Sequence, residues 1–403
     1  MYVLVLNSGS SSLKYQLYAT KDESLVTKGL IEKIGTKEAI YTYALKSGEK
    51  QKDVLPIADH EKALSLVFKT LTNVDNGFIN DLGEIAAVGH RVVHGGATFN
   101  ETVLVTDEVI ENIRDCIELG PLHNPANLKG IEVCTRLLPK APQLAVFDTA
   151  FHQTMPEHAY LYALPYYLFT KHRVRRYGFH GTSHRFITDR AAQLLGKSAD
   201  SINIINCHLG NGSSVCAIKG GKSMDTSMGF TPLEGLVMGT RSGDMDPAII
   251  QYIMHMEHYT IQEVDSMLNK QSGLLGISGS TNDLRELFEL KKNDDQRAAL
   301  AIRVMLYRLK KYIASYMAVL DGNVDAIVFT AGIGENNAYV REHALQGLEF
   351  MGVVVDKAKN ESVDGEAVIS TPDSRVRVMV IPTNEEILIA RDAAAYVKKL
   401  RQK

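Results

Sequence analysis

The amino-acid sequence predicts an α/β protein made of two similar domains, and three observations lead to that prediction. The chain has 403 residues, which exceeds the size that one simple hydrophobic core usually serves. A strand–polar turn–strand pattern opens the sequence and returns about two hundred residues later. Apolar residues also recur at spacings of three and four along residues 302–320, the pattern of a long amphipathic helix.

The first half is predicted to begin with two strands joined by a short turn. Residues 3–6 form an apolar run, residues 7–12 have turn chemistry, and residues 13–18 alternate apolar and polar side chains. The elements predicted after them are an extended stretch at 25–34, a helix at 61–71 and a strand at 85–88.

The second half repeats this opening. An apolar run at 202–206 is followed by a turn at 208–214 and an extended stretch at 215–218. One such unit could arise by chance, but two at corresponding places suggest duplicated domains that face one another. We expect the boundary near residue 150, after an apolar run that ends on Asp148. The later elements predicted here are strands at 326–330 and 376–381 and a closing helix.

The composition is that of a globular protein and excludes several classes. Hydrophobic residues make up 45% and charged residues 23%, unlike disordered or fibrous chains. A net charge of −3 gives no reason to expect binding to nucleic acid or to an anionic membrane, since both favour a basic surface. The four cysteines show neither zinc-site spacing nor a disulfide framework. No apolar run reaches membrane-spanning length, so we expect a soluble, cytoplasmic protein.

The first turn contains residues suited to phosphate binding. Gly9 permits a sharp turn, and closely spaced backbone N–H groups and serine hydroxyls can surround phosphate oxygens. Lys14 adds a positive charge. The segment lacks the glycine spacing and the Gly-Lys-Ser/Thr ending of a Walker A loop. Taken alone, it is equally typical of a serine-rich hairpin.

Two further glycine-containing turns follow predicted strands. One lies at residues 210–214, and the other at residues 332–336. Glycine at the carboxyl end of a strand lets a ligand approach the backbone, and ligands of open α/β sheets bind beyond those ends. Three such turns favour a nucleotide cleft over ordinary loops. The absence of a Gly-x-Gly-x-x-Gly opening argues against a dinucleotide site.

Charged side chains near these turns suggest an anion site and a metal site. Arg91, His180 and Arg241 lie among glycines, in what we predict to be loops. A guanidinium is always charged and binds carboxylate or phosphate through two parallel hydrogen bonds. Any one of the three could be structural, but together they indicate an anion site. Asp148 and Glu385 each follow a predicted strand and could hold hydrated Mg²⁺, or could be loop caps or surface charges.

These motifs together resemble the acetate kinase family, within the sugar kinase, Hsp70 and actin superfamily. Residues 5–14 look like one family signature and residues 89–96 like the other. Further matches lie at 208–212, 283–285, 332–336 and 383–386, within a similarity that runs from about residue 2 to residue 395.

The resemblance implies a fold and its boundaries. The fold is α/β, with duplicated ribonuclease H-like (actin-like ATPase) domains and a central cleft. The N-terminal domain would cover residues 1–150, with a C-terminal helix at 386–403 packing back on it. The C-terminal, nucleotide-binding domain would cover residues 151–385.

The resemblance also implies a role for each matching residue. Asn7 and Glu385 would hold Mg²⁺, Arg91 would bind the substrate carboxylate, and Asp148 would be the essential acidic residue. His180 and Arg241 would stabilise the transferring phosphoryl group, with Arg91 contributing. A small apolar pocket for the substrate methyl group, with His123 nearby, would consist of Val93, Leu122, Phe179 and Pro232. The nucleotide would contact Lys14, His208, Leu209, Gly210, Asn211, Gly212, Asp283, Leu284, Arg285, Gly332, Ile333, Gly334, Glu335 and Asn336.

The implied reaction is reversible, Mg²⁺-dependent phosphoryl transfer between ATP and acetate, giving acetyl phosphate and ADP. Mn²⁺ would substitute for Mg²⁺, and family members are usually homodimers. Phosphoryl transfer requires mainly positioning and positive charge around the equatorial oxygens. The attacking carboxylate is already ionised at pH 7 and needs no general base. We therefore expect Asp148 to orient Mg²⁺, its waters and an arginine.

Three alternatives remain open at this point. A propionate kinase is a close relative, and members that prefer propionate tend to carry a smaller residue where this chain has Val93. A non-catalytic nucleotide switch on the same fold would not need Arg91, His180 and Arg241 together. A sugar kinase would need a polar pocket for several hydroxyls, which the apolar pocket residues disfavour.

Overall fold

The computed structural model describes residues 1–74, 77–121 and 123–402. The chain divides into two compact units. The first comprises Met1–Ala150 together with the C-terminal segment that begins at Asn384, and the second comprises Phe151–Thr383. Each unit contains its own mixed β-sheet.

The first unit has an eight-stranded sheet. Its strands are β1 (Tyr2–Ser8), β2 (Ser12–Ala19), β3 (Leu25–Glu32), β4 (Thr36–Ala44), β5 (Lys50–Ile57), β6 (Ile85–Val92), β7 (Val103–Leu104) and β8 (Gln143–Phe147). Its helices are α1 (His60–Leu71), α2 (Asp107–Asp115), α3 (Asn124–Leu137) and the C-terminal helix (Glu385–Arg401). The strand order is β5-β4-β3-β2-β1-β6-β8-β7. Strand β1 is antiparallel to β2 and parallel to β6, which is in turn parallel to β8.

Both faces of this sheet are covered. Leu4 and Leu6 of β1 belong to a buried cluster that includes Leu64 of α1. Val3 lies on the opposite face and packs with Ile389 of the C-terminal helix. Since residues on both faces of β1 are buried, its apolar run is continuous rather than alternating.

Gly89 on β6 allows the C-terminal helix to approach the sheet closely. A Cβ at this position would lie 2.4 Å from Cγ2 of Ile389. Any larger residue would therefore force the Ile389 side chain to move.

The second unit has a six-stranded sheet. Its strands are β9 (Asn203–Leu209), β10 (Ser213–Lys219), β11 (Lys222–Thr226), β12 (Ala326–Thr330), β13 (Ala367–Val368) and β14 (Arg377–Val380). Its helices are α4 (Glu157–Tyr160), α5 (Tyr167–His172), α6 (Gly181–Leu194), α7 (Ala248–Met256), α8 (Ile261–Lys270), α9 (Gly273–Ser278), α10 (Leu284–Lys292), α11 (Gln296–Val319), α12 (Ala331–Asn336), α13 (Ala338–Leu345) and α14 (Lys357–Glu361).

The second sheet repeats the order of the first. Its order is β11-β10-β9-β12-β14-β13, and the five strands from β11 to β14 have the same directions as β3-β2-β1-β6-β8. Helix α11 packs Leu309 with Ile205 of β9 on one face, while α6 packs Ile187 with Ile204 on the other. The predicted α/β class with a duplicated fold is confirmed.

Three local predictions differ from the structure. Asn7 lies in β1, opposite Lys14, rather than in the turn, because the ladder with β2 continues as far as Ser8. Arg91 lies on β6 rather than in a loop, because that strand stays paired with β8 as far as Val92. Residues 332–336 form most of the short helix α12 instead of a turn, and this helix begins at Ala331, whose φ is 63°.

None of the helices in the described residues combines the length and the apolar character needed to cross a bilayer.

His90 makes the first unit sensitive to acid. Its ring is 2% exposed, and its Nε2 lies 2.8 Å from Oε1 of Gln143. Burial lowers the pKa of His90 from 6.5 to about 4, and the hydrogen bond to Gln143 only partly opposes this effect. Between those two pH values the unfolded chain binds more protons than the folded chain, so stability falls as the pH falls through that window.

We expect acidification from pH 7.5 to pH 5 to lower the unfolding free energy by about 2 kcal/mol through this histidine. His90→Gln cannot take up the proton and should show a pH dependence weaker by about that amount. The measurement is urea denaturation followed by circular dichroism at both pH values. His172→Gln, at an exposed position, is the control and should behave as wild type. Equal pH dependence of His90→Gln and wild type would contradict the prediction.

Candidate active site

Arg91, Asp148 and Glu385 form a charged group in the first unit, which we call the arginine–carboxylate cluster. Nε of Arg91 donates to Oδ1 of Asp148 at 3.1 Å, and Nη2 donates to Oδ2 at 2.5 Å. Nε also lies 3.5 Å from Oε2 of Glu385. The parallel pairing of β6 with β8 brings the first two residues together, because Arg91 lies opposite Val146 and Asp148 directly follows β8.

The charges in this cluster strongly affect one another. Burial opposes the charge of the Arg91 guanidinium, but the carboxylates of Asp148 and Glu385 outweigh it and raise the pKa. Burial and the neighbouring charges of Asp148 and Glu386 raise the pKa of Glu385 to about 7, although Arg91 acts against them. Two carboxylates held this close, with one guanidinium between them, favour a further cation.

Asn7 and Lys14 lie opposite each other on the β1–β2 ladder of the same unit. The Lys14 side chain is 46% exposed and forms an ion pair with Glu386, the neighbour of Glu385. Among the described residues, no group of three or more histidine, cysteine, aspartate or glutamate side chains could hold a metal ion. Asn7, Asp148 and Glu385 still offer oxygen donors of the kind that Mg²⁺ takes, and Mg²⁺ needs few protein ligands because it keeps several waters.

Two buried asparagines of α3 hold the segment that follows β6. Oδ1 of Asn127 accepts from the backbone N–H of Val93 at 3.0 Å, and its Nδ2 donates to the carbonyl of Ser8 at 2.7 Å. Asn124 binds the backbone N–H and carbonyl of His94 in the same way. His123 immediately precedes Asn124 at the start of α3, so it is next in sequence to one of the two asparagines that hold Val93 and His94. Leu122, predicted for the same pocket, lies outside the described residues.

In the second unit, His180 and Arg241 meet at Gly212, and we call these three residues the arginine–histidine cluster. A Cβ on Gly212 would lie 3.3 Å from Nη1 of Arg241 and 3.7 Å from Nε2 of His180. Arg241 Nη1 also donates to the carbonyl of Pro232 at 3.4 Å. Within the part of the chain that the structure describes, no carboxylate lies within ion-pair distance of Arg241. Burial lowers its pKa, but a guanidinium remains charged at neutral pH.

His180 is held in an unusual backbone conformation. It precedes α6 with φ 58° and ψ 23°, in the left-handed region. Non-glycine residues in this region are strained and cluster at functional sites. Its ring stacks on that of His208, with centroids 4.1 Å apart. Phe179, the preceding residue, is 2% exposed, and its carbonyl lies 3.0 Å from Nε2 of His152.

Apart from Lys14, which lies in the first unit, the residues predicted for the nucleotide fall into three groups of the second unit. In the turn between β9 and β10, the carbonyl of Asn211 accepts from Gly239, and its Oδ1 accepts from Asn282 at 3.0 Å. Asp283 caps α10 and pairs with Arg285, whose side chain is 90% exposed. The third group is α12, which contains Gly332, Ile333, Gly334, Glu335 and Asn336. The side chains of Leu209 and Leu284 pack in the core, so only their backbone could face a ligand.

Sequence reasoning missed Arg341, which holds α12. Arg341 is 2% exposed. Its Nη1 donates to the carbonyls of Gly334 and Glu335 at 2.9 and 2.8 Å. Its Nε and Nη2 donate to the side chain and carbonyl of Asn360 at 2.7 and 2.8 Å. The only signal in the sequence is an arginine on the helix after the glycine segment, which is too common to single out.

Comparisons with known proteins agree with this architecture. A sequence model of the Acetokinase family matches residues 2–391. A protein from Thermoanaerobacterium thermosaccharolyticum named acetate kinase is 56% identical over 402 residues, covering 100% of both chains. The crystal structure of Porphyromonas gingivalis acetate kinase superimposes with a TM-score of 0.94 at 48% identity, covering 98% of this chain and 99% of that one. A propionate kinase from Francisella tularensis gives 0.91 at 44% identity, covering 97% and 98%.

Each unit repeats the strand order of a ribonuclease H-like domain, so the fold is the duplicated actin-like ATPase fold. The family match and the similar acetate kinases show that the protein is a kinase of this fold. The chain belongs to the acetokinase family.

We expect Arg341→Lys to weaken ATP binding about tenfold, since a lysine cannot replace the planar set of donors and a hydrogen bond to a charged group contributes about 1.5–3 kcal/mol. Isothermal titration calorimetry with ATP measures the change. The matched control is Arg375→Lys, because exposed Arg375 also donates to main-chain carbonyls, those of Gly322 and Met351. Unchanged ATP affinity in folded Arg341→Lys would show that this arginine does not position α12 for the nucleotide.

Proposed function

We propose that this protein catalyses reversible phosphoryl transfer between ATP and acetate, giving acetyl phosphate and ADP. The observation that carries the proposal is the arginine–histidine cluster. There a partly buried guanidinium without a carboxylate partner in the described residues and a histidine ring border one glycine. A cationic site of this kind suits the transferring group, whose charge is spread over three equatorial oxygens. The family and its curated members support acetate as the acceptor.

The chemistry needs no general base. A carboxylate oxygen of acetate attacks the γ-phosphorus of ATP in line with the bond to ADP, which breaks as the new phosphorus–oxygen bond forms. The carboxylate is ionised at neutral pH, so no proton has to be removed. Arg91 binds the acceptor carboxylate, while Arg241 and the Nε2 edge of His180 stabilise the transferring group. The turn at Asn211 and helix α12 hold the nucleotide.

Asn7, Asp148 and Glu385 would hold Mg²⁺ in this proposal, with Mn²⁺ as a substitute. The carboxylate oxygens of the arginine–carboxylate cluster fit such an ion, whose charge would act against the burial and the carboxylate repulsion that raise the pKa of Glu385. The metal would supply positive charge at the nucleotide phosphates. Asp148 also accepts two hydrogen bonds from Arg91, so its role in the proposal is to orient that arginine and the hydrated ion.

We also propose a homodimer in the cytoplasm. These features follow from the family resemblance. Solution scattering that gives a monomer mass would contradict the proposed dimer.

Acetate-dependent hydroxamate formation from ATP and hydroxylamine tests the proposal. We expect hydroxamate only when acetate, ATP and Mg²⁺ are all present. A non-catalytic nucleotide switch would bind ATP and form none, and a sugar kinase would form ADP with sugars instead. Higher kcat/KM for propionate than for acetate would show that acetate is the wrong acceptor.

We expect Asp148→Asn to lower kcat and to alter the Mg²⁺ dependence, because the amide keeps the shape but loses the charge that pairs with Arg91 and attracts the ion. Rates measured across a Mg²⁺ titration, at saturating acetate and ATP, give both quantities. Asp244→Asn, which removes a carboxylate paired with Arg308, controls for loss of an arginine partner elsewhere. A near-normal rate with an unchanged Mg²⁺ response would exclude this role.

We expect Val93→Ala to favour propionate, because removing two methyl groups makes room for one extra methylene. A methylene in such a pocket is worth about 1–3 kcal/mol, so the ratio of kcat/KM for propionate to that for acetate should rise about tenfold or more. Val92→Ala is the matched control, since Val92 packs in the core with Val109 and Ile113. Equal ratios of kcat/KM for propionate and acetate in the two variants would show that Val93 does not line the acceptor pocket.

A further inference from the structure

Three fully buried polar residues of the second unit connect to His180. Nδ2 of Asn206 on β9 lies 2.8 Å from Nδ1 of His184 on α6. Nε2 of His184 lies 2.9 Å from Oγ of Ser214 on β10. The same Oγ lies 2.9 Å from Nδ1 of His180. Asn206, His184 and Ser214 are each 0% exposed, so water does not compete for these bonds.

The donor and the acceptor of the first two hydrogen bonds can be assigned. The amide nitrogen of Asn206 can only donate, so Nδ1 of His184 accepts. Burial, with the neighbouring His152 and His208, holds the pKa of His184 well below its ordinary value, and the ring is therefore neutral. A neutral imidazole with an accepting Nδ1 carries its one proton on Nε2. His184 therefore donates from Nε2 to Ser214.

The direction of the third hydrogen bond follows from where the hydroxyl proton of Ser214 can go. Its hydroxyl already accepts from His184, and in the part of the chain that the structure describes its other partner is Nδ1 of His180. The hydroxyl proton therefore goes to that nitrogen. A neutral His180 with an accepting Nδ1 carries its proton on Nε2. This is the atom that lies 3.7 Å from the position of a Cβ on Gly212.

We propose that Asn206, His184 and Ser214 form a relay of positioning residues that fixes the tautomer of His180. The relay keeps an N–H on Nε2 of His180, directed at the turn where the phosphoryl group would transfer. This inference rests on the proposed function and deepens it. In the opposite tautomer, Nε2 would present a lone pair to anionic phosphoryl oxygens and would repel them. A neutral His180 therefore stabilises the transferring group only when each residue donates to the next, from Asn206 through His184 and Ser214 to His180.

The relay also holds the ring of His180, whose backbone is in the left-handed conformation. The strained residue at the start of α6 is held by the hydrogen bond that its ring accepts from Ser214 and by its carbonyl, which accepts from the backbone N–H of His184. The stacked ring of His208 is anchored separately, with Nδ1 2.8 Å from Oγ of Ser183, which lies 2.8 Å from Oγ1 of Thr383. Ser214 therefore controls the proton and the rotation of the His180 ring, while His208 supports its face.

Nitrogen NMR of the ¹⁵N-histidine-labelled full-length protein tests the relay directly. Long-range ¹H–¹⁵N correlation spectra distinguish the two neutral tautomers and the imidazolium. We expect His180 and His184 both to be neutral, with the proton on Nε2, at pH 7.5. A proton on Nδ1 of either ring, or a doubly protonated His180, would overturn the proposal. An inverted Asn206 amide would give this contrary result, because His184 would then hold its proton on Nδ1.

Ser214→Ala removes the bond and supplies a kinetic test. We expect kcat to fall about tenfold to a hundredfold, in line with misorientation of one catalytic group, while KM for ATP and acetate changes little. The His180 signals should also become a mixture of tautomers. Ser223→Ala is the matched control, since buried Ser223 makes the equivalent bond to Nδ1 of His152 at 2.8 Å. It should leave kcat and the His180 signals unchanged.

The outcomes separate the two proposals. A wild-type protein that forms no acetate-dependent hydroxamate would refute the proposed function, yet its histidine spectra would still report the tautomers. An active wild type whose His180 carries its proton on Nδ1 would refute the relay alone. If Ser214→Ala fails to fold, the wild-type spectra still test the relay, because they report the tautomers of His180 and His184. A folded Ser214→Ala with wild-type kcat and an unchanged His180 tautomer would also refute the relay.

Discussion

The central parallel strand pairs are the constraint on which both units depend. In each unit an N-terminal strand is parallel to a later strand, β1 with β6 and β9 with β12, and these central strands are buried. Parallel strands end at the same edge of a sheet, so side chains at their carboxyl ends come together from distant parts of the sequence. Arg91 and Asp148 meet in this way, and so do the turn after β9 and the helix after β12. The apolar strands thus fix where the charged groups lie.

The two arginines in these units have opposite surroundings. Arg91 donates two hydrogen bonds to Asp148 and lies beside Glu385, so its position is fixed before any ligand arrives. Arg241 touches only a carbonyl and a thioether sulfur among its described hydrogen-bonding partners, so its charge is available to an anion. A guanidinium that is already oriented suits recognition of a carboxylate, and one without a counter-charge suits a group that gains charge during transfer.

Much of the fold and of the candidate site could be predicted from the sequence, because glycine and serine turns after apolar strands leave a strong local pattern. The repeated strand–turn–strand units identified the duplication, and the motifs identified Arg91, His180 and Arg241. Local patterns could not show that Asn7 and Arg91 lie on strands, since pairing partners far along the chain decide where a strand ends. Nor could they find Arg341 or Ser214. The role of a buried arginine or serine depends on its hydrogen-bonding partners. These partners are distant in sequence, so the local sequence does not reveal them.

The C-terminal helix has a consequence for the order in which the protein is made. It covers the face of the first sheet that contains Val3 and Gly89, and its first residue is Glu385. The ribosome therefore releases all of the second unit before it can supply the last layer of the first. Until then the nascent first unit has an uncovered apolar face, the kind of surface that chaperones bind. A chain that stops short of this helix lacks both a core layer of the first unit and Glu385, a carboxylate of the candidate active site.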